Sequence, residues 1–247
     1  MTSKRFELLL RFLHLNDSQR QPQRGEAGFD RLYKIRPLLD QTFKTSYTPS
    51  QYISIDESMI SYKGRLSFLQ YLPKKPHKWG LKAWVLADSE NGYTWGWRLY
   101  TGKEDGERAV GLAQQVVLQL VEDDRLKHKG YVVVTDSFYS SPTLFKELVA
   151  RGFGACGTVR RDRRGLPPAM RERRLQKGEV ISSIDDSLLS LKWKDKREVL
   201  MLSTYHGTEM VTKSRRSRTA QGGVEDIQKP LVVEEYNQYM GGVDKSE

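Results

Sequence analysis

The spacing of apolar residues changes several times along the chain, and each change predicts an element. Apolar residues three or four positions apart predict helices at "SKRFELLLRFLHL" and "FDRLYKIRPLLDQTFKTSY", with Ser3 as the first N-cap and Pro37 as a kink or boundary. From Gln51 an alternating pattern rich in β-branched and aromatic residues predicts strands at "QYISIDESMISYKG", "KWGLKAWVLAD" and "GYTWGWRLYTG". Asn91 and Gly92 predict a tight hairpin between the last two.

Helical and strand patterns alternate in the second half of the chain. "ERAVGLAQQVVLQLVEDD" and "SPTLFKELVARG" predict helices, the second with Pro142 at its first position and Gly152 after its end. "GYVVVTD" is typical of a buried central strand, "GACGTVR" of a shorter one, and "LLSLKWKDKREVLMLSTYHG" of a hairpin. "LVVEEYNQYMGGVDKSE" predicts a last helix, interrupted by two glycines. This order predicts an α/β fold with a mixed sheet and helices on its faces.

Charge and cysteine content narrow the class of protein. The 247 residues include 41 Lys and Arg against 31 Asp and Glu, a net charge of +10 that favours a polyanionic partner. Basic residues cluster from Arg160 to Lys177, where two prolines argue against regular structure, and again in "KSRRSR". The alternative for each cluster is a solvated loop. A single cysteine, Cys156, allows neither a disulfide nor a cysteine zinc site, and no apolar run is long enough for a membrane span, so we expect a soluble intracellular protein.

Three aspartates are candidates for chemistry because of their neighbours. Asp56 lies within an otherwise apolar or hydroxylic strand, Asp136 ends the predicted central strand, and Asp244 follows the glycine pair. Their wide separation suits a site assembled from distant elements, and carboxylates without a soft ligand favour Mg²⁺ or Mn²⁺. Two such ions could activate a nucleophile and stabilise a leaving oxygen of a phosphodiester. Each aspartate could instead be a cap or an ion-pair partner. Glu57 faces the opposite side of its strand and is predicted to be structural.

Longer strings around these acids resemble one family. The chain is similar to piggyBac transposases, including their domesticated vertebrate derivatives, in the blocks "SIDESMISYKGRLSFLQYLPKKPHKWGLK", "VVTDSFYSSPTLFKELVARGFGACGTVR", "LKWKDKREVLMLST" and "EYNQYMGGVD". The blocks occur in order over essentially the whole chain. The resemblance implies an RNase H-like core with a catalytic and metal-binding triad at Asp56, Asp136 and Asp244. It also implies two Mg²⁺ (or Mn²⁺) ions, cut-and-paste chemistry through a hairpin intermediate, TTAA targets, and double-stranded DNA of the transposon ends as partner.

The same resemblance implies a division of the chain. Residues 1–50 form an N-terminal helical region, and residues 51–161 form the first part of the catalytic core. Residues 162–228 form a mainly β insertion domain with the basic clusters, and residues 229–247 form the final helix segment of the core, whose further helices are expected to be missing. Tentative DNA contacts are the basic residues Lys63, Arg65, Lys74, Lys75, Lys78, Arg160, Arg161, Arg163, Arg164, Lys213, Arg215 and Arg216.

The chain departs from the family pattern at its end. Glu247 stands where family members often carry a further Asp, and one cysteine cannot build the zinc module that usually ends these proteins, so no zinc is expected in this chain. A nuclear protein is expected from ancestry, and a homodimer if a full-length protein exists. No membrane association is expected. The alternative function is a domesticated or truncated transposase-derived protein that binds DNA without catalytic activity.

Overall fold

The computed structural model describes residues 1–13, 17, 19–23, 35–73, 78–102, 111–216 and 223–246. The chain divides into two compact units, Met1–Thr48 and Pro49–Glu247. Within the described helices, none has the length and apolar character that crossing a membrane requires.

In the first unit the structure describes helices α1 (Ser3–Arg11) and α2 (Ile35–Ser46). The predicted cap is wrong by one residue, because the Thr2 side chain, not that of Ser3, accepts a hydrogen bond from the Arg5 backbone N–H. Pro37 does not interrupt α2, since it lies in the first turn, where a missing N–H costs no helical hydrogen bond. No residue described in α1 is buried, so its predicted apolar stripe is exposed within this unit.

The second unit is built on a nine-stranded mixed sheet, which confirms the predicted fold class in outline. The strands lie in the order β2-β3-β1-β5-β6-β9-β8-β7, with β4 also paired to β3. β1 is parallel to β5 and β5 to β6, whereas the other pairs are antiparallel. The bounds are β1 (Tyr52–Ser61), β2 (Gln70–Tyr71), β3 (Trp79–Asp88), β4 (Thr94–Leu99), β5 (Val132–Thr135), β6 (Gly154–Thr158), β7 (Val180–Asp185), β8 (Leu188–Lys194) and β9 (Glu198–Ser203).

Among the described residues of this unit, five helices accompany the sheet: α3 (Leu112–Leu120), α4 (Pro142–Ala150), α5 (Pro168–Glu172), α6 (Leu231–Tyr239) and α7 (Gly242–Ser246). Helix α7 buries Val243 against Ala83, Val85 and Ala87 of β3. Helix α3 contacts Arg98 of β4, whose neighbour across the sheet is Trp84. Because residues 84 and 85 point to opposite faces of β3, α3 and α7 cover opposite faces of the sheet.

The helix α4 has the ends that the sequence predicts. The Ser141 side chain accepts a hydrogen bond from the Leu144 backbone N–H at 3.2 Å, and Pro142 occupies the first helical position. Gly152 follows the helix with a φ of +79°, a conformation that favours glycine. The expectation of irregular structure around Pro168 is wrong for a short stretch, because this proline begins the helical turn α5.

The predicted hairpin of β8 and β9 is confirmed, and it extends the main sheet. β9 pairs with β6 through Cys156 and Ser203, so β7, β8 and β9 continue the sheet that contains β1 and β5. A separate two-stranded ribbon consists of β10 (Met210–Arg216) and β11 (Val224–Pro230). A domain boundary at residue 162 stays a prediction.

Candidate active site

Asp56 and Asp136 follow matching residues of two neighbouring parallel strands. The register pairs Ile55 of β1 with Thr135 of β5, so the next residue is Asp56 on β1 and Asp136 immediately after the end of β5. Neighbouring strands are about 4.8 Å apart, and residues at matching positions share a face. The same register continues into β6, where Gly157 pairs with Thr135 and Thr158 follows it. The sheet therefore presents Asp56, Asp136 and Thr158 in a row on one face.

Asp136 lies in surroundings that disfavour its charge. Burial raises the pKa of this carboxyl, and the nearby negative charge of Glu57 raises it further. Hydrogen bonds from the backbone N–H groups of Phe138 and Tyr139 oppose the rise, as does the positive charge of Arg160. A carboxylate whose pKa is raised by burial and like charge is the kind of group that a bound cation stabilises.

Two tyrosines lie close to the aspartate pair. Burial raises the pKa of Tyr139, with further contributions from Asp56, Glu57 and Asp136. Burial likewise raises the pKa of Tyr236 on α6 to about 12, and its hydroxyl lies 3.4 Å from the Thr158 hydroxyl. The buried Tyr139 hydroxyl has no hydrogen-bond partner within the described part of the chain. Sequence patterns did not single out these tyrosines, since an aromatic residue near a strand end is usually core.

Asp244 lies on the same side of the sheet as the pair. It directly follows Val243, which packs against Val85, and Val85 is the residue that pairs with Asp56 across the sheet. The side chain of Asp244 is exposed. Across the described ranges, no group of three or more His, Cys, Asp or Glu side chains is arranged to hold a metal ion. The structure thus brings Asp56 and Asp136 together, and the role of all three aspartates stays a prediction.

Glu57 lies on the opposite face from Asp56, as alternation along the strand predicts. Its carboxylate forms an ion pair with Lys82 of β3 at 2.6 Å. The Lys82 ammonium also lies 5.8 Å from the ring centroids of Trp84 and Phe138. Lys82 therefore has a role inside the protein, which no local pattern indicates because its partner is 25 residues away.

The basic residues expected to contact DNA differ in their surroundings. Lys63, Arg65 and Lys78 are exposed near the edge formed by β2 and β3, whereas Lys74 and Lys75 lie outside the described residues. Exposed Tyr71 and Trp79 at this edge have ring centroids 4.8 Å apart. Arg160, Arg161 and Arg164 are exposed in the segment after β6, beside the strand that ends at Asp136.

The four other members of this set have contacts within the protein or lie on the ribbon. Arg163 donates to the backbone carbonyls of Ser137 and Phe138. Lys213 pairs with Glu234 at 2.7 Å, and Arg215 pairs with Asp195 and Glu225, both at 2.5 Å. Arg216 is exposed on β10. Because ion pairs neutralise the charges of Lys213 and Arg215, the ribbon offers less positive charge to a partner than its sequence predicts.

Comparison with known proteins identifies the family. A family model described as transposase IS4 matches residues 1–247. The chain belongs to the transposase IS4 family. Within this family it is similar to human PiggyBac transposable element-derived protein 3, at 30% identity over 100% of the chain and 42% of that protein. Human PiggyBac transposable element-derived protein 2 is 28% identical over 97% of the chain and 41% of its own length.

A solved structure gives the same result. The piggyBac transposase in a synaptic complex with hairpin DNA superposes with a TM-score of 0.81 and 28% identity, over 99% of this chain and 49% of that one. The resemblance to the piggyBac transposase family is therefore confirmed. This transposase-family chain spans less than half the length of each of these relatives.

Proposed function

We propose that the chain is the catalytic portion of a piggyBac-type DNA transposase, which cleaves phosphodiester bonds and transfers strands with a divalent metal. The observation that carries the proposal is that Asp56 of β1 stands at the position matching Asp136, which directly follows the neighbouring parallel strand β5. The order β4-β3-β1-β5-β6 supports an RNase H-like core. In chain order β1 is the first strand of this core and carries Asp56, and β5 is the fourth and is followed by Asp136.

The donor set fits Mg²⁺ or Mn²⁺. Both acids offer hard oxygen ligands, and the raised pKa of Asp136 reflects a buried, crowded carboxylate that gains from a nearby cation. Asp56 and Asp136 would hold the metal, and Asp244, on the same side of the sheet, would complete the set. Two such ions, when bound, lower the pKa of a nucleophilic water and stabilise the leaving oxygen.

The chain's own residues would orient the DNA around this pair. Exposed Arg160, Arg161 and Arg164 follow β6, the neighbour of β5, so phosphates held there would lie close to Asp136. The exposed aromatic pair of Tyr71 and Trp79 offers a stacking surface for unpaired bases at a hairpin end. TTAA targets, a homodimeric whole protein and a nuclear location belong to this proposal through the piggyBac relatives.

The test is metal-dependent cleavage of a DNA hairpin that carries a TTAA end. We expect Asp56→Asn and Asp136→Asn to abolish cleavage and Asp244→Asn to reduce it strongly, while DNA affinity stays similar or rises as a negative charge near phosphate is removed. The matched control is Asp124→Asn, whose side chain is fully exposed in the segment between α3 and β5. Cleavage that survives Asp136→Asn, or DNA binding that weakens in Asp56→Asn, would contradict the assignment.

A second function is supported by a specific observation. Since the described carboxylates form no ready group of three for a metal ion, the chain could bind DNA through its exposed arginines without cleaving it. Salt-sensitive DNA binding with no cleavage in Mg²⁺ or Mn²⁺, and with no thermal shift by either metal, would favour this transposase-derived DNA-binding protein.

A further inference from the structure

The turn after β5 has an unusual density of hydrogen bonds. The Asp136 carboxylate accepts from the Phe138 N–H at 2.9 Å, and its carbonyl accepts from the Ser140 N–H at 3.0 Å. The Ser140 hydroxyl donates to the Asp136 carbonyl at 2.8 Å and lies 2.8 Å from the Thr135 hydroxyl. These bonds tie the first and last residues of the turn together. The carbonyls of Ser137 and Phe138, in the middle, receive none of them.

Arg163 supplies the donors for those two carbonyls. One terminal nitrogen of its guanidinium donates to the Ser137 oxygen at 3.1 Å and also to the Phe138 oxygen. Its Nε is buried with no partner in the described part of the chain, so the guanidinium contacts the turn through its terminal nitrogen. Arg163 is half-buried, unlike Arg161 and Arg164 beside it, which are exposed. Although Arg163 belongs to a run of surface charges, its side chain therefore binds the backbone of the protein itself.

The backbone around Arg163 is arranged to deliver this contact. The Arg163 N–H donates to the Arg160 carbonyl at 3.1 Å, which turns the chain immediately after β6. Gly165 has a φ of +88°, and a β-carbon on it would lie 3.4 Å from the Pro142 side chain. The segment therefore folds back over the turn and reaches the start of α4, with the Arg163 side chain pointing to the residues that follow Asp136.

We propose that Arg163 is a positioning residue: it fixes the Asp136–Ser140 turn, and with it the direction of the Asp136 carboxylate, rather than contacting phosphate. The predicted effect on cleavage rests on the proposed function. The predicted effect on the structure of the turn does not, because the Arg163 hydrogen bonds form in the metal-free protein. Groups that orient a metal-binding side chain typically contribute 10–100-fold to metal affinity or activity. Loss of Arg163 should therefore weaken metal use without weakening DNA binding more than loss of any neighbouring charge.

The experiment compares Arg163→Gln with Arg164→Gln in the full 247-residue chain. Both remove one positive charge from the same segment, but only the first removes the bonds to the turn. Amide hydrogen exchange of the turn is measured first, without metal or DNA. We expect exchange at Phe138, Tyr139 and Ser140 to become at least about 10-fold faster in Arg163→Gln and to stay unchanged in Arg164→Gln, because only the first variant removes the hydrogen bonds that Arg163 donates to the turn.

The second readout is the Mg²⁺ dependence of hairpin cleavage, with DNA affinity measured in parallel. We expect Arg163→Gln to raise the Mg²⁺ concentration for half-maximal rate by about 10–100-fold, with recovery of the rate at high Mg²⁺. We expect it to weaken DNA binding no more than Arg164→Gln does. Arg163→Lys, which keeps a donor for the carbonyls, should restore much of the protection. If Arg163→Gln does not fold, Arg163→Lys is compared with the unmodified protein in its place.

The two readouts separate this inference from the proposed function. If no variant and no unmodified chain cleaves DNA, the proposed function fails while the exchange data still decide the role of Arg163. Equal exchange in both glutamine variants overturns the inference, whatever the cleavage result. A loss of DNA affinity confined to Arg163→Gln would also overturn it and make this residue a phosphate contact.

Discussion

A β-carbon added to Gly242 would lie 2.3 Å from the Ser54 hydroxyl oxygen and 2.8 Å from the Asp88 carbonyl. No side chain fits between α7 and β1 at this point, so glycine permits the contact. Ser54 lies two residues before Asp56 on the same face of β1. Gly242, the second glycine of the pair that interrupts the last helical pattern, is therefore what allows α7, which carries Asp244, to approach the strand that carries Asp56.

Replacing this glycine should displace α7. We expect Gly242→Ala to lower the free energy of unfolding by about 1–3 kcal/mol, the usual cost of forcing extra atoms into a packed contact. Gly241→Ala is the matched control, since a β-carbon there meets nothing within 4 Å. Urea denaturation of both variants measures the difference. If Gly242→Ala and Gly241→Ala were equally stable, α7 would not pack closely against Ser54.

The raised pKa of Asp136 makes a prediction about stability and pH. Because the folded-state pKa lies above the unfolded value, the folded protein holds this proton more tightly, and stability is lost as pH rises through the folded pKa. Asp136→Asn, which keeps the acceptor for the Phe138 N–H, should therefore be more stable than the unmodified protein at pH 7. The gain should disappear as pH falls towards the unfolded value of about 3.9.

Thermal unfolding at several pH values checks this prediction. Added Mg²⁺ should raise the melting temperature of the unmodified protein and leave that of Asp136→Asn unchanged, because the cation relieves the same carboxylate. A variant less stable at pH 7 than the unmodified protein would show that Asp136 is a structural acceptor whose charge is already compensated.

His206 makes a prediction of the opposite sign. Its Nδ1 lies 2.8 Å from the Ser203 hydroxyl and its Nε2 lies 3.0 Å from the Glu235 carboxylate. The Tyr205 ring is tilted against the His206 ring, with centroids 4.1 Å apart. Burial lowers the pKa of His206, against the opposing charges of Glu235 and Glu209. The unfolded state then binds more protons below its pKa of about 6.5, so stability should fall as pH decreases through that value.

The variant His206→Gln isolates this contribution. It should cost about 1 kcal/mol at pH 7.5 through weaker hydrogen bonding, and its stability should fall less between pH 7 and 5 than that of the unmodified protein. Parallel pH profiles for the two proteins would show that His206 does not titrate in this range.

The exposed arginines predict the salt dependence of DNA binding. Each phosphate contact contributes about 0.9 to the slope of log affinity against log salt. We expect the combined replacement of Arg160, Arg161 and Arg164 by glutamine to reduce that slope by up to about 2.7. The control is Arg215→Gln, which should leave the slope nearly unchanged and lower the melting temperature, because Arg215 pairs with Asp195 and Glu225. An unchanged slope in the triple variant would show that these arginines face solvent.

Local pattern predicts much of this fold because several elements carry strong signals of their own. The hairpin of β3 and β4 turns at Gly92, whose φ of +78° needs the residue type that the sequence offers there. The apolar run of β5 is buried along its whole length. In contrast, the ribbon of β10 and β11 has no apolar alternation. It is held by cross-strand pairs such as Ser214 with Asp226, so its sequence looks like a charged loop.

The site is less predictable because it depends on pairings between distant segments. The sequence places Asp56 and Asp136 on strands, but only the register of β1 with β5 makes them neighbours. The raised pKa values of Tyr139 and Tyr236 arise from burial that no spacing reveals. Arg163 and Lys82 look like surface charges in the sequence, and only tertiary contacts distinguish them from residues such as Arg164.

The four-residue strand β5 pairs with β1 on one side and β6 on the other, over matched residues on both sides. A slip of a single position between β1 and β5 would move Asp136 opposite a residue that points to the other face. A sheet in which β1 and β5 are out of register therefore cannot keep the carboxylates of Asp56 and Asp136 together. Any chemistry they perform is consequently confined to molecules whose central strands are in register, which couples activity to complete folding of the sheet.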